Sequence, residues 1–161
     1  MKTKTIVVNG IIAALYIAIT GIIQPIAFSN VQFRIPEIFN HLVVFNKKYF
    51  FGVVIGVFFG NLFFSNLLPY DLFFGVGHSI ITLGLTIFVV RFIKNVWVKM
   101  AVNTLFFTFT MFIIAYELNL AMGFPFWETW MLAAIGEFVV MAVGMPIIYS
   151  INKQVKLDEK I

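Results

Sequence analysis

Charged residues are scarce in this chain, and cysteine is absent. Asp, Glu, Lys and Arg make up 11% of its 161 residues, whereas about a quarter of a typical soluble domain is charged. The lack of cysteine excludes disulfides, thiolate metal sites and cysteine nucleophiles. The basic residues are scattered between apolar runs, so the net charge of +4 does not indicate a nucleic-acid-binding surface.

Long apolar runs are what the sequence has instead. Hydrophobic residues make up 61% of the chain, and its mean hydropathy is +1.01. Five of the six apolar segments reach the roughly 17–25 residues that a membrane-spanning helix needs. The segments cover residues 6–28, 38–45, 49–67, 71–90, 101–120 and 127–151. We therefore predict an all-α integral membrane protein, a six-helix bundle forming one domain over residues 1–161, with a short second helix and an uncleaved first span.

The distribution of basic residues predicts the topology. Ten of the eleven Lys and Arg residues lie at the chain ends or in alternate connections, and Arg34 stands alone in the others. Because cytoplasmic loops carry the excess of basic residues, both termini are predicted to be cytoplasmic. Connections 29–35, 66–70 and 121–126 then face outward. Most acidic residues in the spanning region fall near this outer side, and Glu137 lies about 15 Å along the last helix from Trp127.

The second segment is too short to cross a hydrocarbon core of about 30 Å. A helix over residues 36–46 would be about 16 Å long, with Pro36 in its first turn. The preceding loop, residues 32–37, is therefore predicted to dip inward. Irregular backbone is tolerated at that depth only when it is buried in protein or lines an aqueous cavity. This pattern indicates a ligand cavity that opens outward.

Polar and aromatic side chains lie on one face of several predicted helices, towards the predicted outer ends. We expect these side chains, with those of the inward-dipping loop, to form the substrate site. The candidates are Gln32, Phe33, Arg34, Glu37, Asn61, Asp71, Phe74, His78, Glu117, Trp127, Trp130 and Glu137.

Several charged candidates have a structural interpretation beside the functional one. Arg34 either pairs with Glu37 and holds the loop or contacts the ligand. Asp71 is favoured as an N-terminal cap of the fourth helix. His78 is favoured as an interior histidine with satisfied hydrogen bonds. Glu137 favours function, because no Lys or Arg of a neighbouring segment lies at its depth to neutralise it.

The aromatic candidates and the small residues are also open to two interpretations. Trp127 and Trp130 fit an interfacial aromatic belt as well as a stacking wall for a ligand. Small residues recur every four positions in two helices, which lets helix backbones approach closely in lipid. The third segment's row is predicted to pack inside the bundle, and the first segment's row to face another membrane subunit. The rows are Gly52, Gly56 and Gly60 in the third segment and Gly10, Ala14 and Ala18 in the first.

Four short elements resemble a known family. Residues 31–37, VQFRIPE, resemble the Q-F-R-V-x-E segment of the QueT queuosine-precursor transporters. Residues 13–18, AALYIA, are similar to the A-L-Y-x-A element that precedes it in that family. Residues 56–61 and 71–75 are similar to its G-x-x-x-x-N and D-x-x-x-G elements. The resemblance covers the first four segments, although Pro36 and His78 depart from the usual residues.

The resemblance implies a substrate-binding S component of an energy-coupling factor (ECF) transporter. Such a subunit captures a micronutrient outside the cell and works with a transmembrane coupling subunit and two ABC-type ATPases. The implied ligand is a 7-deazapurine such as preQ1 or preQ0, with no cofactor. The A-x-x-x-A row formed by Ala14 and Ala18 is implied to dock the coupling subunit.

Two alternatives remain open from the sequence. The same class of subunit could take another vitamin, such as thiamin or riboflavin. A different class, an intramembrane metal-dependent hydrolase, would use Glu37, His41 and His78. The hydrolase is disfavoured because these residues do not form the H-E-x-x-H pattern. No nucleotide-binding loop is present, so an importer of this kind would draw its energy from partner subunits.

Overall fold

The computed structural model describes residues 3–24 and 33–161, and within them it is helical without strands. Five helices, α1 and α3 to α6, are long and apolar enough to cross a membrane. The short second helix, α2, is apolar as well. The prediction of an all-α membrane protein is confirmed. The helices are α1 (Thr3–Ile22), α2 (Ile35–Phe45), α3 (Lys47–Phe64), α4 (Tyr70–Val90), α5 (Val96–Met122), α6 (Phe126–Val155) and α7 (Leu157–Lys160).

Helix α5 begins five residues before the predicted segment because a polar residue caps it. The side-chain oxygen of Asn95 accepts hydrogen bonds from the backbone N–H groups of Trp97 (2.9 Å) and Val98 (3.3 Å). Such a cap satisfies donors that have no partner within the helix. Lys99 lies in this first turn, which is why hydropathy alone placed the start of the segment after it.

The short helix α2 lies inside the bundle. It begins as a 3₁₀ helix over Ile35–His41, with Pro36 in its first turn as predicted, and continues as α-helix over Leu42–Phe45. Asn40 and His41 are completely buried. Burial removes the polar groups of this helix from water, so each one left without a hydrogen-bond partner carries a cost in free energy.

Helices α1 and α3 approach each other along the glycine row of α3. A Cβ atom added at Gly56 would lie 2.6 Å from Tyr16 Cβ, and one at Gly52 would lie 2.9 Å from the backbone oxygen of Asn9. The Gly52 N–H also donates to Asn9 Oδ1 at 2.8 Å, so α1 supplies a hydrogen bond to the first turns of α3. The prediction that this row packs inside the bundle is confirmed.

The opposite face of α1 carries the other row of small residues. Gly10, Ala14 and Ala18 are all exposed. A Cβ atom at Gly10 would meet no heavy atom within 4 Å. The described part of the chain thus leaves this row uncovered.

The bundle end near Lys47 and Lys48 is closed by the last residues of the chain. The Tyr49 hydroxyl donates to the Leu157 carbonyl at 2.9 Å, and Asn46 Nδ2 donates to the Ile161 carbonyl at 2.8 Å. Tyr49 is completely buried there. We call this the basic end, and the end that holds Arg34 and Asp71 the polar end.

Candidate functional site

A buried ion pair joins three elements at the polar end. Arg34 Nη2 lies 3.2 Å from Asp71 Oδ1, and both side chains are less than 10% exposed. Asn61 of α3 accepts from Arg34 Nη1 at 3.5 Å and donates from Nδ2 to the Asp71 carbonyl at 2.9 Å. The Ser65 hydroxyl donates to the other Asp71 carboxylate oxygen. Gly75 makes room for this arrangement, because a Cβ atom there would lie 2.6 Å from Asn61 Nδ2.

The structure corrects two structural expectations for these residues. Helix α4 begins at Tyr70 after Pro69, and its N-terminus has no side-chain cap. Asp71 therefore lies inside the first turn, where its carboxylate turns inward and binds Arg34 and Ser65. Among the described residues Arg34 forms its ion pair with this carboxylate rather than with Glu37, the partner in one of the two interpretations; Glu37 still interacts electrostatically with Arg34.

Glu37 is held by two neutral donors. The Tyr16 hydroxyl of α1 donates to Glu37 Oε1 at 2.6 Å. Asn40 Nδ2, one turn further along α2, donates to Glu37 Oε2. All three side chains are at most 3% exposed. This arrangement fixes the position of the carboxylate from two sides.

Other buried acceptors at this end have no hydrogen-bond partner in the part of the chain that the structure describes. They are Asn40 Oδ1, Glu117 Oε1 and Oε2, and Glu137 Oε1. Glu117 and Glu137 are at most 1% exposed. Both interact electrostatically with Arg34, and Glu137 also with Glu37. The carboxyl group of Glu117 lies close enough to that of Asp71 to hydrogen-bond, but only if one of the two carries a proton, because a carboxylate can only accept. We call Asn40, Glu117 and Glu137 the acceptor cluster, since each presents at least one oxygen without a donor.

The two histidines form hydrogen bonds with groups outside the acceptor cluster. His41 Nε2 lies 2.9 Å from the Met141 carbonyl, and His41 Nδ1 lies 3.2 Å from Asn103 Nδ2. His78 Nε2 lies 2.9 Å from Thr110 Oγ1. Among residues 3–24 and 33–161, no three His, Cys, Asp or Glu side chains are grouped to hold a metal ion. The residues suggested for a hydrolase, Glu37, His41 and His78, thus each bond to different groups and do not form one metal site in the described part of the chain.

The aromatic candidates lie towards the surface of the bundle. Phe74 and His78 line a largely apolar cavity of about 480 Å³ between α4 and α5. Phe33 lines a smaller cavity, about 210 Å³, between α2 and α6. Trp127 is 72% exposed, and Trp130 donates from Nε1 to the Phe109 carbonyl at 3.1 Å. These positions favour the interfacial interpretation of the two tryptophans. The remaining candidate, Gln32, lies outside the described residues.

Comparison with known proteins fits this arrangement of apolar helices around a polar end. The model of the QueT transporter family matches residues 6–153. The chain belongs to the QueT transporter family. It is also 33% identical over 166 aligned residues to the queuosine precursor transporter QueT of Lactococcus lactis subsp. cremoris (strain MG1363), covering 98% of this chain and 97% of that protein. No solved structure matches the chain significantly. The resemblance carried by the four short elements is confirmed, and this QueT family member is a multi-pass membrane protein and a transporter.

Two residues of the polar end were missed by reasoning from the sequence. The sequence pattern assigns Tyr16 only to the A-L-Y-x-A element and assigns no role to Asn40. A signal for Tyr16 was available, because the polar residues Asn9, Tyr16 and Thr20 recur at helical spacing on the buried face of α1. Asn40 lies three residues after Glu37, which in a helix places the two side chains close together.

Proposed function

We propose that this chain is the substrate-binding S component of an ECF-type importer. It captures a queuosine precursor, a 7-deazapurine such as preQ1 or preQ0, for ATP-driven uptake. The substrate class is proposed from the relative's name and from the chemistry of the polar end. The observation that carries it is the acceptor cluster, a set of buried oxygens without donors in the described part of the protein.

A guanine-like ring supplies what the acceptor cluster lacks. Its N1–H and exocyclic amine lie side by side and can donate to the two oxygens of one carboxylate, such as Glu117. A buried acceptor without a partner costs about 1–3 kcal/mol, and more when it is charged. A ligand that donates to such oxygens therefore gains affinity by removing that cost. The ring carbonyl is an acceptor suited to Arg34 or Asn61, which already lie together.

In this proposal the polar end faces outward and both chain ends are cytoplasmic, as the basic residues predict. The ligand enters at the polar end, and the Arg34–Asp71 pair holds the start of α2 against α4. The exposed face of α1, with Gly10, Ala14 and Ala18, packs against the transmembrane coupling subunit. Two ABC-type ATPases bound to that subunit supply the energy. Small residues suit this contact because they let two helix backbones approach closely.

Ligand binding tests the proposed substrate. The purified subunit is titrated calorimetrically with preQ1, preQ0, guanine and riboflavin. We expect a 7-deazapurine to bind far more tightly than riboflavin, because its ring edge matches the acceptor cluster. If neither preQ1 nor preQ0 binds below millimolar concentration, the proposed substrate class is wrong. Mass spectrometry of the co-purified ligand gives an independent identification.

A separate experiment tests docking on the coupling subunit. Ala14→Trp or Ala18→Trp should abolish uptake of labelled preQ1 in cells while leaving its binding to the purified subunit unchanged. Gly84→Trp is the matched control, since Gly84 is exposed on α4 and a Cβ atom there would also meet nothing within 4 Å. Uptake that persists in the α1 variants would refute the docking assignment.

A further inference from the structure

The nitrogen and the oxygen of the Asn40 side-chain amide have different surroundings. Its Nδ2 group donates to Glu37 Oε2, whereas its Oδ1 atom has no hydrogen-bond partner among the described residues. The side chain is completely buried. A buried amide normally satisfies both ends, so an oxygen left without a donor in the interior calls for an explanation.

The orientation of the Asn40 amide is determined by Glu37. A carboxylate only accepts hydrogen bonds, so the NH₂ group of Asn40 must face it. The reverse orientation would place the amide oxygen against the carboxylate and leave the NH₂ group unpaired. Tyr16 holds Glu37 from the other side with a bond of 2.6 Å. The chain Tyr16–Glu37–Asn40 therefore directs Asn40 Oδ1 away from Glu37.

From this geometry we infer that Asn40 contacts the substrate through Oδ1, accepting a hydrogen bond from a ring or amine N–H. Tyr16 and Glu37 are then positioning residues that fix the orientation of the Asn40 amide. The inference rests on the proposed function, because it assumes that the ligand occupies the polar end. It adds an amide acceptor to the carboxyl oxygens of Glu117 and Glu137. Each oxygen of Glu37 already accepts a hydrogen bond from the protein, which suits a positioning role for that residue.

A neutral acceptor has a different role from the carboxylates in selecting a ligand. Carboxylates favour cations of many shapes through charge alone. An amide oxygen held in one orientation rewards only an N–H group at the matching position. A site built to bond a polar group rejects analogues that lack it, because its own group is left unpaired. Asn40 should therefore contribute to selectivity among related purines.

Asn40→Ala tests the contact by its effect on selectivity. Binding of 7-deazaguanine is compared with that of its 2-deamino and N9-methyl analogues, which lack the exocyclic amine and the N9–H donor, respectively. We expect wild-type protein to lose about tenfold in affinity for the analogue that lacks the relevant donor, the worth of one buried hydrogen bond. In Asn40→Ala that discrimination should vanish, and the affinity for the other analogue relative to 7-deazaguanine should stay as in the wild type.

Two further variants separate positioning from a general structural effect. Tyr16→Phe should weaken the same discrimination, and its effect should disappear in the Asn40→Ala background, because both act through one amide. Asn103→Ala is the matched control: Asn103 is equally buried, but its amide is bonded to Thr86 and His41. It should lower stability without changing the discrimination.

The outcomes distinguish this inference from the proposed function. If wild-type protein binds no 7-deazapurine, the proposed function fails. If wild-type protein discriminates and Asn40→Ala discriminates equally, the proposed function stands and the assignment of Asn40 is refuted. If Tyr16→Phe changes the discrimination equally in the wild-type and Asn40→Ala backgrounds, the positioning role of Tyr16 is refuted, and the contact assigned to Asn40 is not affected.

Discussion

Replacing Glu117 by methionine should stabilise the ligand-free protein while weakening ligand binding. Both carboxylate oxygens of Glu117 are buried without hydrogen-bond partners among the described residues, and the side chain is completely buried. The Asp71 carboxylate lies next to it but offers no donor, so the two can hydrogen-bond only by sharing a proton, and Arg34 acts on both. Methionine has a similar length and a similar helix propensity, so the helix itself should change little.

The magnitude follows from the cost of the unpaired oxygens. A buried polar group without a partner costs about 1–3 kcal/mol, and an apolar side chain of the same shape avoids that cost. We therefore expect Glu117→Met to raise the free energy of unfolding by about 1–3 kcal/mol. Removal of both carboxyl oxygens from the site should lower affinity for a 7-deazapurine about tenfold, since each hydrogen bond lost contributes about 0.5–1.5 kcal/mol. Stability gained at the expense of binding is typical of a functional site.

Asp71→Asn is the control variant, and it should destabilise the protein where Glu117→Met stabilises it. Asp71 is as buried as Glu117, but its carboxylate is bonded to Arg34 and Ser65. Removal of one partner from a buried ion pair costs about 3–5 kcal/mol. Unfolding in mild detergent, titrated with SDS without ligand, should therefore shift in opposite directions for the two variants. A Glu117→Met protein that is destabilised like Asp71→Asn would refute our account of Glu117 as an acceptor awaiting a ligand.

Two further predictions concern packing and the surface. Gly56→Ala should lower the free energy of unfolding by about 1–3 kcal/mol relative to Gly10→Ala. The new methyl group at position 56 would lie 2.6 Å from Tyr16 Cβ, whereas the one at position 10 would meet nothing within 4 Å. Equal stability of the two variants in the SDS titration would contradict the close packing of α1 and α3. Trp127→Ala should leave preQ1 affinity within twofold of wild type in calorimetry, because this side chain is 72% exposed; a tenfold loss would restore Trp127 as a stacking wall.

The helices and the glycine row were predictable because they follow from hydropathy, length and residue size. Gly56 packs against α1 as its spacing suggested. The hydrogen-bond partners at the polar end were less predictable, since they depend on distances between helices. The cap position of α4 is Pro69, two residues before the predicted cap, so Asp71 lies inside the helix and pairs with Arg34. Asn40 was overlooked because its role depends on Glu37, which occupies one end of its amide.

The close packing of α1 against α3 also constrains how the protein can move. Where Gly56 leaves no room for a side chain, the two backbones cannot slide past each other without a clash, so α1 and α3 should move as one rigid body. That body carries the exposed face of α1 on one side and Asn61, bonded to Arg34, on the other. A displacement imposed on the outer face of α1 would therefore reach the polar end through the backbones themselves. The hinges that permit it must lie where this body joins the rest of the chain, at its connections to α2 and α4.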